Sequence, residues 1–474
     1  MNMKKNLLLM AAIVLSFGLL SCSKDEDENE LEPEQEIQDD NNSNGQDDNQ
    51  KGGHPTNPNG GNSNDVYFML AEPHPMQLTP SQTAFMKNNN QFTLNFLRTV
   101  NMADRSNNSY IYSPLSITYV LGMVNDAATG QTEQELEQAL GFSEGGIQAV
   151  NEYCKNLIDN LPKVDEYVQL DIANAIFLNK DYTLKEQFKS DMLQYFDAKA
   201  EALDFSSPQT LGHINGWCNE KTRGMIPTIL EEVNPYMVSY LLNAIYFKAD
   251  WTSKFDEKNT KNEAFATGTG TTQLPLMQQN VLIQYLNNGI CSAVVIPYGT
   301  GLWNMTVMLP EEGKTTDDII NLLATAGIDG LEGTFCVENS EMAAMKEVRF
   351  APYEVELKLP RFNTASDTND LGIGGLIDLL RQMGIRLVFD SNNAEIPNMA
   401  NVPVYINMMR QKAAIDVNEE GAKASAVTVA GMKVTGLPEM FPKATFHANR
   451  PFVYVIREQS SGVILFVGKF TGMS

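Results

Sequence analysis

The stretch that most constrains how this 474-residue chain can fold lies near its C-terminus, over residues 414–428. A strand-like run at 414–417 enters the acidic turn Asn418-Glu419-Glu420 and Gly421. It then passes into Ala422, Lys423, Ala424, Ser425, Ala426, Val427 and Thr428. Residues this small, with almost no turn punctuation, give a loop nothing to pin it. The same residues fit a pleated strand. A fold for this chain must therefore hold a strand that still awaits its partner.

The first 65 residues stand apart from fold reasoning. Lys4 and Lys5 precede an apolar run over residues 7–20, too short to span a bilayer comfortably. With the small residue Ser21 before Cys22, residues 1–21 read as an export signal. Leu19-Leu20-Ser21-Cys22 also resembles the lipobox of bacterial lipoproteins, in which the cysteine is lipidated; an ordinary secretory signal is the alternative. Residues 22–65 then form an acidic tether, with 13 Asp or Glu against two Lys after Cys22 and almost no apolar residues. Such a segment cannot offset the entropy of ordering and is expected to stay disordered. Ser23-Lys24-Asp25-Glu26-Asp27-Glu28 resembles the acidic export signal of surface lipoproteins in Bacteroidetes-type bacteria, a solvated linker being the plainer alternative. The expectation is an exported, outer-membrane, surface-exposed protein that meets the membrane only through a lipid on Cys22.

The whole chain carries a net charge of −25, of which −16 falls on residues 66–474. A domain this acidic disfavours nucleic acid and anionic membrane surfaces as partners. Cys154, Cys218, Cys291 and Cys336 have no metal-type spacing and sit among apolar neighbours. Buried free thiols are expected, with a disulfide after export as the alternative.

No Pro/Gly/Ser-rich linker interrupts residues 66–474, so one large domain is the economical organisation. Helical patterns dominate its first third. Residues 83–100 place Phe85, Phe92, Phe96 and Leu97 at helical spacing, and Thr132 followed by Glu135 predicts a capped helix that ends at Gly141. Strand patterns follow at residues 168–178, 240–247, 293–297, 305–309, 355–359, 445–448, 452–456 and 463–467. Helices early and strands late, without a βαβ rhythm, predict an α+β fold with large sheets.

Catalytic constellations are missing from the pattern. His213 and His447 stand alone, with no Gly-x-Ser-x-Gly elbow and no metal-ligand spacing nearby. Gly372-Ile373-Gly374-Gly375 precedes a helix but lacks the dinucleotide-binding spacing. Neither an enzyme nor a metal or cofactor site is expected.

Motifs in order from Phe85 to the end resemble the serpin family. They are Asn108-Ser109-Tyr110-Ile111-Tyr112-Ser113-Pro114-Leu115-Ser116-Ile117, Asp126-Ala127-Ala128-Thr129-Gly130-Gln131-Thr132 and Ala173-Asn174-Ala175-Ile176-Phe177. Tyr195-Phe196-Asp197-Ala198 and Leu242-Asn243-Ala244-Ile245-Tyr246-Phe247-Lys248-Ala249-Asp250-Trp251 follow. Asn449-Arg450-Pro451-Phe452 and Leu465-Phe466-Val467-Gly468-Lys469 close the set, and the 417–428 stretch resembles the hinge of the reactive-centre loop. The resemblance implies three β-sheets with eight or nine helices and an exposed reactive-centre loop.

By the same resemblance, Ser113, Ser116 and Asn243 would sit under the centre of the large sheet, in the shutter where strands part. Gln411 stands where the family often has histidine. Glu419 and Arg361 would pair to steady the hinge, and Trp251 with Arg361 would mark the breach above it. If the loop inserts as a strand, the hinge residues Ala422, Ala424, Ala426 and Thr428, then Ala430 and Met432, face inward. None is charged, and no proline occurs before Pro438. Lys423 departs from the acid common there but would point outward.

The implied function is suicide inhibition of serine endopeptidases. A protease attacks the loop and forms an acyl-enzyme, and the freed strand inserts before deacylation. From Gly421 to Thr435 the strand would span about 46 Å at ~3.3 Å per residue. The family's spacing puts the reactive bond between Thr435 and Gly436, with Val434, Lys433 and Met432 as alternatives. Thr435 or Val434 suits elastase-like targets, and Lys433 suits trypsin-like ones. Residues 148–164 lack a basic cluster, so no heparin-like activator is expected; the protein is expected to act as a monomer. The alternatives are a non-inhibitory serpin, acting as a carrier or folding accessory, and a purely adhesive surface lipoprotein.

Overall fold

A computed structural model describes residues 73–104, 106–142, 145–339, 342–371, 374–422 and 441–473. The predicted signal and tether, and residues 423–440 of the predicted reactive-centre loop, lie outside the described residues. The helices are α1 (Pro80–Ala103), α2 (Pro114–Ala127), α3 (Gly130–Leu140), α4 (Gly146–Asn160), α5 (Glu186–Phe196), α6 (Gln209–Lys221), α7 (Thr316–Ala326) and α8 (Leu376–Gln382). The strands in the first half are β1 (Tyr110–Tyr112), β2 (Val168–Asn179), β3 (Ala198–Leu203), β4 (Ser239–Asp250), β5 (Lys261–Thr267), β6 (Gly270–Asn287), β7 (Cys291–Tyr298) and β8 (Trp303–Pro310). Those that follow are β9 (Gly333–Asn339), β10 (Met342–Val348), β11 (Ala351–Pro360), β12 (Phe362–Asp367), β13 (Lys412–Val417), β14 (Gly421–Ala422), β15 (Lys443–His447), β16 (Phe452–Glu458) and β17 (Ile464–Phe470).

The strands predicted from alternation all form, and the fold is α+β with eight helices among the described residues. The sheets divide differently from three separate ones. Nine strands join in one ladder, β1-β17-β16-β8-β7-β6-β11-β15 with β5 on β6, because β6 is 18 residues long. It pairs with β5 and β11 along most of its length and with β7 over its last residues, Gln284 to Asn287. One continuous strand thereby welds two expected sheets. A hairpin, β9–β10, forms where no hairpin was expected.

Among the described residues β14-β4-β2-β3 form one further sheet, and the antiparallel pair β12–β13 forms another. The two faces of β2 and β4 carry different cores. Ala173, Ala175 and Phe177 with Tyr240, Leu242 and Ala244 pack with Trp217 and Ile214 of α6. Leu170, Ile176 and Leu178 with Leu241, Ile245, Phe247 and Ala249 belong to the main core on the other face. This is the period-2 alternation of strands covered on both sides.

Beneath that main-core face lies α2, every residue of which is buried. Its start is fixed locally: Pro114 takes the first helical position and the Ser113 hydroxyl accepts the Ser116 N–H. Likewise α1 starts at a capping box, in which Thr79 and Gln82 satisfy each other's amides, so it begins three residues before the pattern predicts.

The expected cap of α3 is corrected. The helix starts at Gly130, and Thr132 lies inside it, fully buried. The Thr132 hydroxyl accepts the N–H of Glu395, and the Glu395 carboxylate accepts the N–H of Gln131 at 2.9 Å. A distant carboxylate thus takes over the capping task that local sequence assigned to Thr132.

Candidate functional site

The turn between β13 and β14 is tight: Asn418 and Gly421 exchange backbone hydrogen bonds of 3.0 and 3.2 Å across Glu419 and Glu420. Gly421 then pairs with Asp250, and Ala422 with Ala249, so the chain lies against the upper end of β4. Only glycine fits at 421. Its φ is +140°, and a Cβ would stand 2.6 Å from the Asp250 Cα and 2.7 Å from the Trp251 N, and closer still to the Ala249 carbonyl oxygen.

Four side chains clamp this turn. Trp251, fully buried and stacked on Tyr298 at 4.3 Å, donates its indole N–H to the Asn418 carbonyl at 2.9 Å. The Trp251 amide donates to the Glu420 carbonyl and the Phe255 amide to that of Glu419. Arg361 donates to both oxygens of Glu419, at 3.0 and 2.5 Å, and the Thr260 hydroxyl adds a third bond at 2.5 Å. Lys254 bridges Glu420 at 2.7 Å and Asp250 at 3.1 Å.

Glu419 is 3% exposed. Burial by itself would raise its pKa, yet the Arg361 guanidinium and the Thr260 hydroxyl hold it below the ordinary carboxylate value. The structure therefore brings Trp251, Arg361, Glu419, Glu420 and Gly421 into one constellation. Sequence reasoning missed Thr260 and Lys254 within it.

The second constellation lies lower, between α2 and β4. Ser116 donates its hydroxyl to Asn243 Oδ1, Asn243 Nδ2 donates to Asn174 Oδ1 at 2.7 Å, and Asn174 Nδ2 donates to the Phe196 carbonyl at 2.7 Å. Asn174 and Asn243 are direct cross-strand partners on β2 and β4. Every donor in this chain has an acceptor, as burial requires.

Gln411 does not join that chain. Its amide accepts the Ser113 N–H at 3.1 Å and donates to the Ser113 carbonyl at 2.6 Å, while its backbone pairs with Thr368 of the chain leaving β12. The four expected shutter residues thus form two arms, Gln411 gripping the Ser113 backbone and Ser116 gripping Asn243, joined through the Ser113–Ser116 cap. Asn174, buried at 2%, was missed. Its signal was a lone amide on the inward parity of an apolar strand.

Below Ala422, β4 and β13 have no strand between them among the described residues, and they belong to separate sheets. The expected inward loop residues Ala424, Ala426, Thr428, Ala430 and Met432, and the reactive-bond candidates from Met432 to Gly436, lie outside the described residues, as does Cys22.

Cys154, Cys218 and Cys291 are buried free thiols, each pushed up to about 12 by burial. His213 and His447 each contact one glutamate, Glu201 at 2.9 Å and Glu356 at 3.0 Å. No cluster of three metal-ligating side chains occurs among the described residues.

Fold and site together define a protein in which β4 and β13 belong to separate sheets among the described residues, with the 418–422 turn clamped against the end of β4. The family model described as Serpin (serine protease inhibitor) matches residues 87–472. Serpin B6 of Macaca fascicularis is 30% identical over 391 residues, covering 81% of this chain and 98% of that protein. The leukocyte elastase inhibitor of Xenopus tropicalis is 28% identical, covering 80% and 97%. Among solved structures, the thermophilic serpin tengpin in its native state matches with a TM-score of 0.68 at 24% identity, over 85% of this chain and 97% of that one. The chain belongs to the serpin family.

Proposed function

We propose that this serpin is an inhibitor of serine endopeptidases that traps the acyl-enzyme by inserting its cleaved loop between β4 and β13. The observation that carries this reading is the register at the hinge. Gly421 opposite Asp250 and Ala422 opposite Ala249 set the alignment with β4, and Gly421 opposite Asn418 sets that with β13. Carried downward, the same alignment puts Ala424, Ala426 and Ala430 opposite Phe247, Ile245 and Leu241, all main-core residues. On the other side, Ala422, Ala424 and Ala426 fall opposite Val417, Ile415 and Ala413, also in the main core.

The small residues of the loop would then complete the core face, and Lys423, Ser425 and Val427 would face the α6 side. Thr428 comes opposite both Asn243 and Gln411. The one inward hydroxyl would therefore arrive beside these two amides, where its hydrogen-bonding capacity can be met. Insertion would add a strand between β4 and β13, which have no strand between them among the described residues, and its interstrand hydrogen bonds are the source of the driving force.

The reactive bond Thr435–Gly436, with Val434, Lys433 and Met432 as alternatives, fits elastase-like targets first and trypsin-like ones second. Similarity to a protein named leukocyte elastase inhibitor supports the first. The lipobox-like Cys22 and the acidic tether support display on a bacterial outer surface, as a monomer held by its lipid. The test is to mix the full chain with elastase and with trypsin. An SDS-resistant adduct and a released C-terminal peptide beginning at Gly436 are expected. Cleavage without adduct, and without a rise in thermal stability of the cleaved product, would instead assign a non-inhibitory carrier or accessory role.

A further inference from the structure

Away from the hinge, a cavity of about 690 Å3 opens between β6, β7, β8, β16 and the short helical turn Ile328–Leu331. Its size is that of a small-molecule site. Apolar walls come from Ile283, Val295, Pro297, Ile328, Phe350 and Pro352. Among them stands one cation, Arg457.

Arg457 is the anomaly. Its Nε is buried without a hydrogen-bond partner, and its guanidinium makes no ion pair with any described residue. Burial pulls its pKa below the ordinary value, against the pull of Asp329, Glu332 and Glu458. A guanidinium held like this is costly unless something supplies acceptors. The backbone directs it there: the β16–β17 register slips between Ile456 and Arg457, and such bulges re-aim a side chain.

The neighbouring acids do not meet the need. Both oxygens of Glu458 are occupied by the N–H and O–H groups of Ser460 and Ser461, at 2.5 to 2.8 Å. Glu332 accepts the Phe350 N–H at 2.8 Å. Asp329 and Glu332 are exposed at the rim, where water screens them.

We propose that this cavity binds a small amphipathic carboxylate, its anionic head paired with Arg457 and its apolar body against Ile283, Val295, Ile328 and Phe350. The site is independent of the loop and of protease inhibition. A charge-assisted bidentate pair is the interaction Arg457 lacks, and an apolar tail is what the walls accept.

The test is isothermal titration of the full chain with dodecanoate, dodecanol and dodecylamine, each below its micellar concentration. Dodecanoate is expected to bind at least about tenfold more tightly than dodecanol, the discrimination given by one charged hydrogen-bonding partner. Arg457→Gln should erase that preference and leave dodecanol affinity unchanged. Equal affinities in the native chain, binding by none of the three, or persistence of the preference in R457Q would overturn the proposal. Tighter binding of dodecylamine would also overturn it, assigning the site to Asp329 and Glu332. Should R457Q fail to fold, the comparison of probes on the native chain decides, with Val295→Trp expected to abolish binding by filling the cavity.

Discussion

Replacing Arg361 by alanine isolates the hinge clamp. Glu419 would lose both guanidinium bonds and keep only the Thr260 hydroxyl, in a site where its side chain is 4% exposed. Breaking a fully buried pair costs about 3–5 kcal/mol. The Arg361 side chain, however, is 45% exposed, so water weakens the native interaction and the loss should be about 1–3 kcal/mol. For a domain of this size that corresponds to roughly 1–4 °C in the thermal transition.

The pH dependence gives the sharper signature. In the native chain Glu419 has a depressed pKa, so its contribution is present above its unfolded value of about 4.3 and is lost as pH falls through the folded one. In R361A the guanidinium no longer offsets the burial of the Glu419 carboxylate, and the folded pKa is expected to rise above the unfolded one. The sign then reverses: the variant recovers stability as pH falls toward the unfolded pKa. Thermal transitions of both proteins at pH 7.5 and pH 5.0 should therefore differ more at pH 7.5. An equal gap at the two pH values, or none at either, would show that Arg361 does not hold the Glu419 charge.

Three further outcomes follow from the same geometry. Gln411→Ala should cost about 1–3 kcal/mol in denaturant titration, because the buried Ser113 N–H and C=O both lose their partner; Gln411→His should add a further pH dependence near 6.5. Gly421→Ala should cost about 1–3 kcal/mol and lift the turn from β4, read as faster hydrogen exchange at the Trp251 amide, which is bonded to Glu420. If the chain inhibits by the proposed insertion, Ala426→Glu should be cleaved without adduct because a charge would have to enter the core beside Ile245, while Lys423→Glu should leave adduct formation unchanged.

Much of the fold was legible because it is written in short-range periodicity. The strands at β2, β4, β11 and β16 show their alternation directly, and α1 shows its apolar stripe. The hinge was legible for the same reason: a turn, a glycine and a run of small residues sit within a dozen positions. What escaped depends on residues far apart in sequence. Thr132 looked like a cap until Glu395 took that role from more than 260 positions away. Asn174 looked like one polar residue in a motif until β2 and β4 paired and set it against Asn243. Gln411 was expected beside Ser116 and Asn243, yet its reach is taken up by the Ser113 backbone.

The sequence by itself therefore determined the family, the α+β class and the glycine turn at 418–421. These are properties of neighbouring residues, carried by steric preference and hydrophobic period. Only the tertiary structure decided that β4 and β13 fall in separate sheets among the described residues, that four side chains pin the turn at its top, and that the polar zone is two arms meeting at Ser113. Those features exist only once distant strands are brought within hydrogen-bonding distance, because a buried polar group is defined by the partner it finds and no single segment carries both.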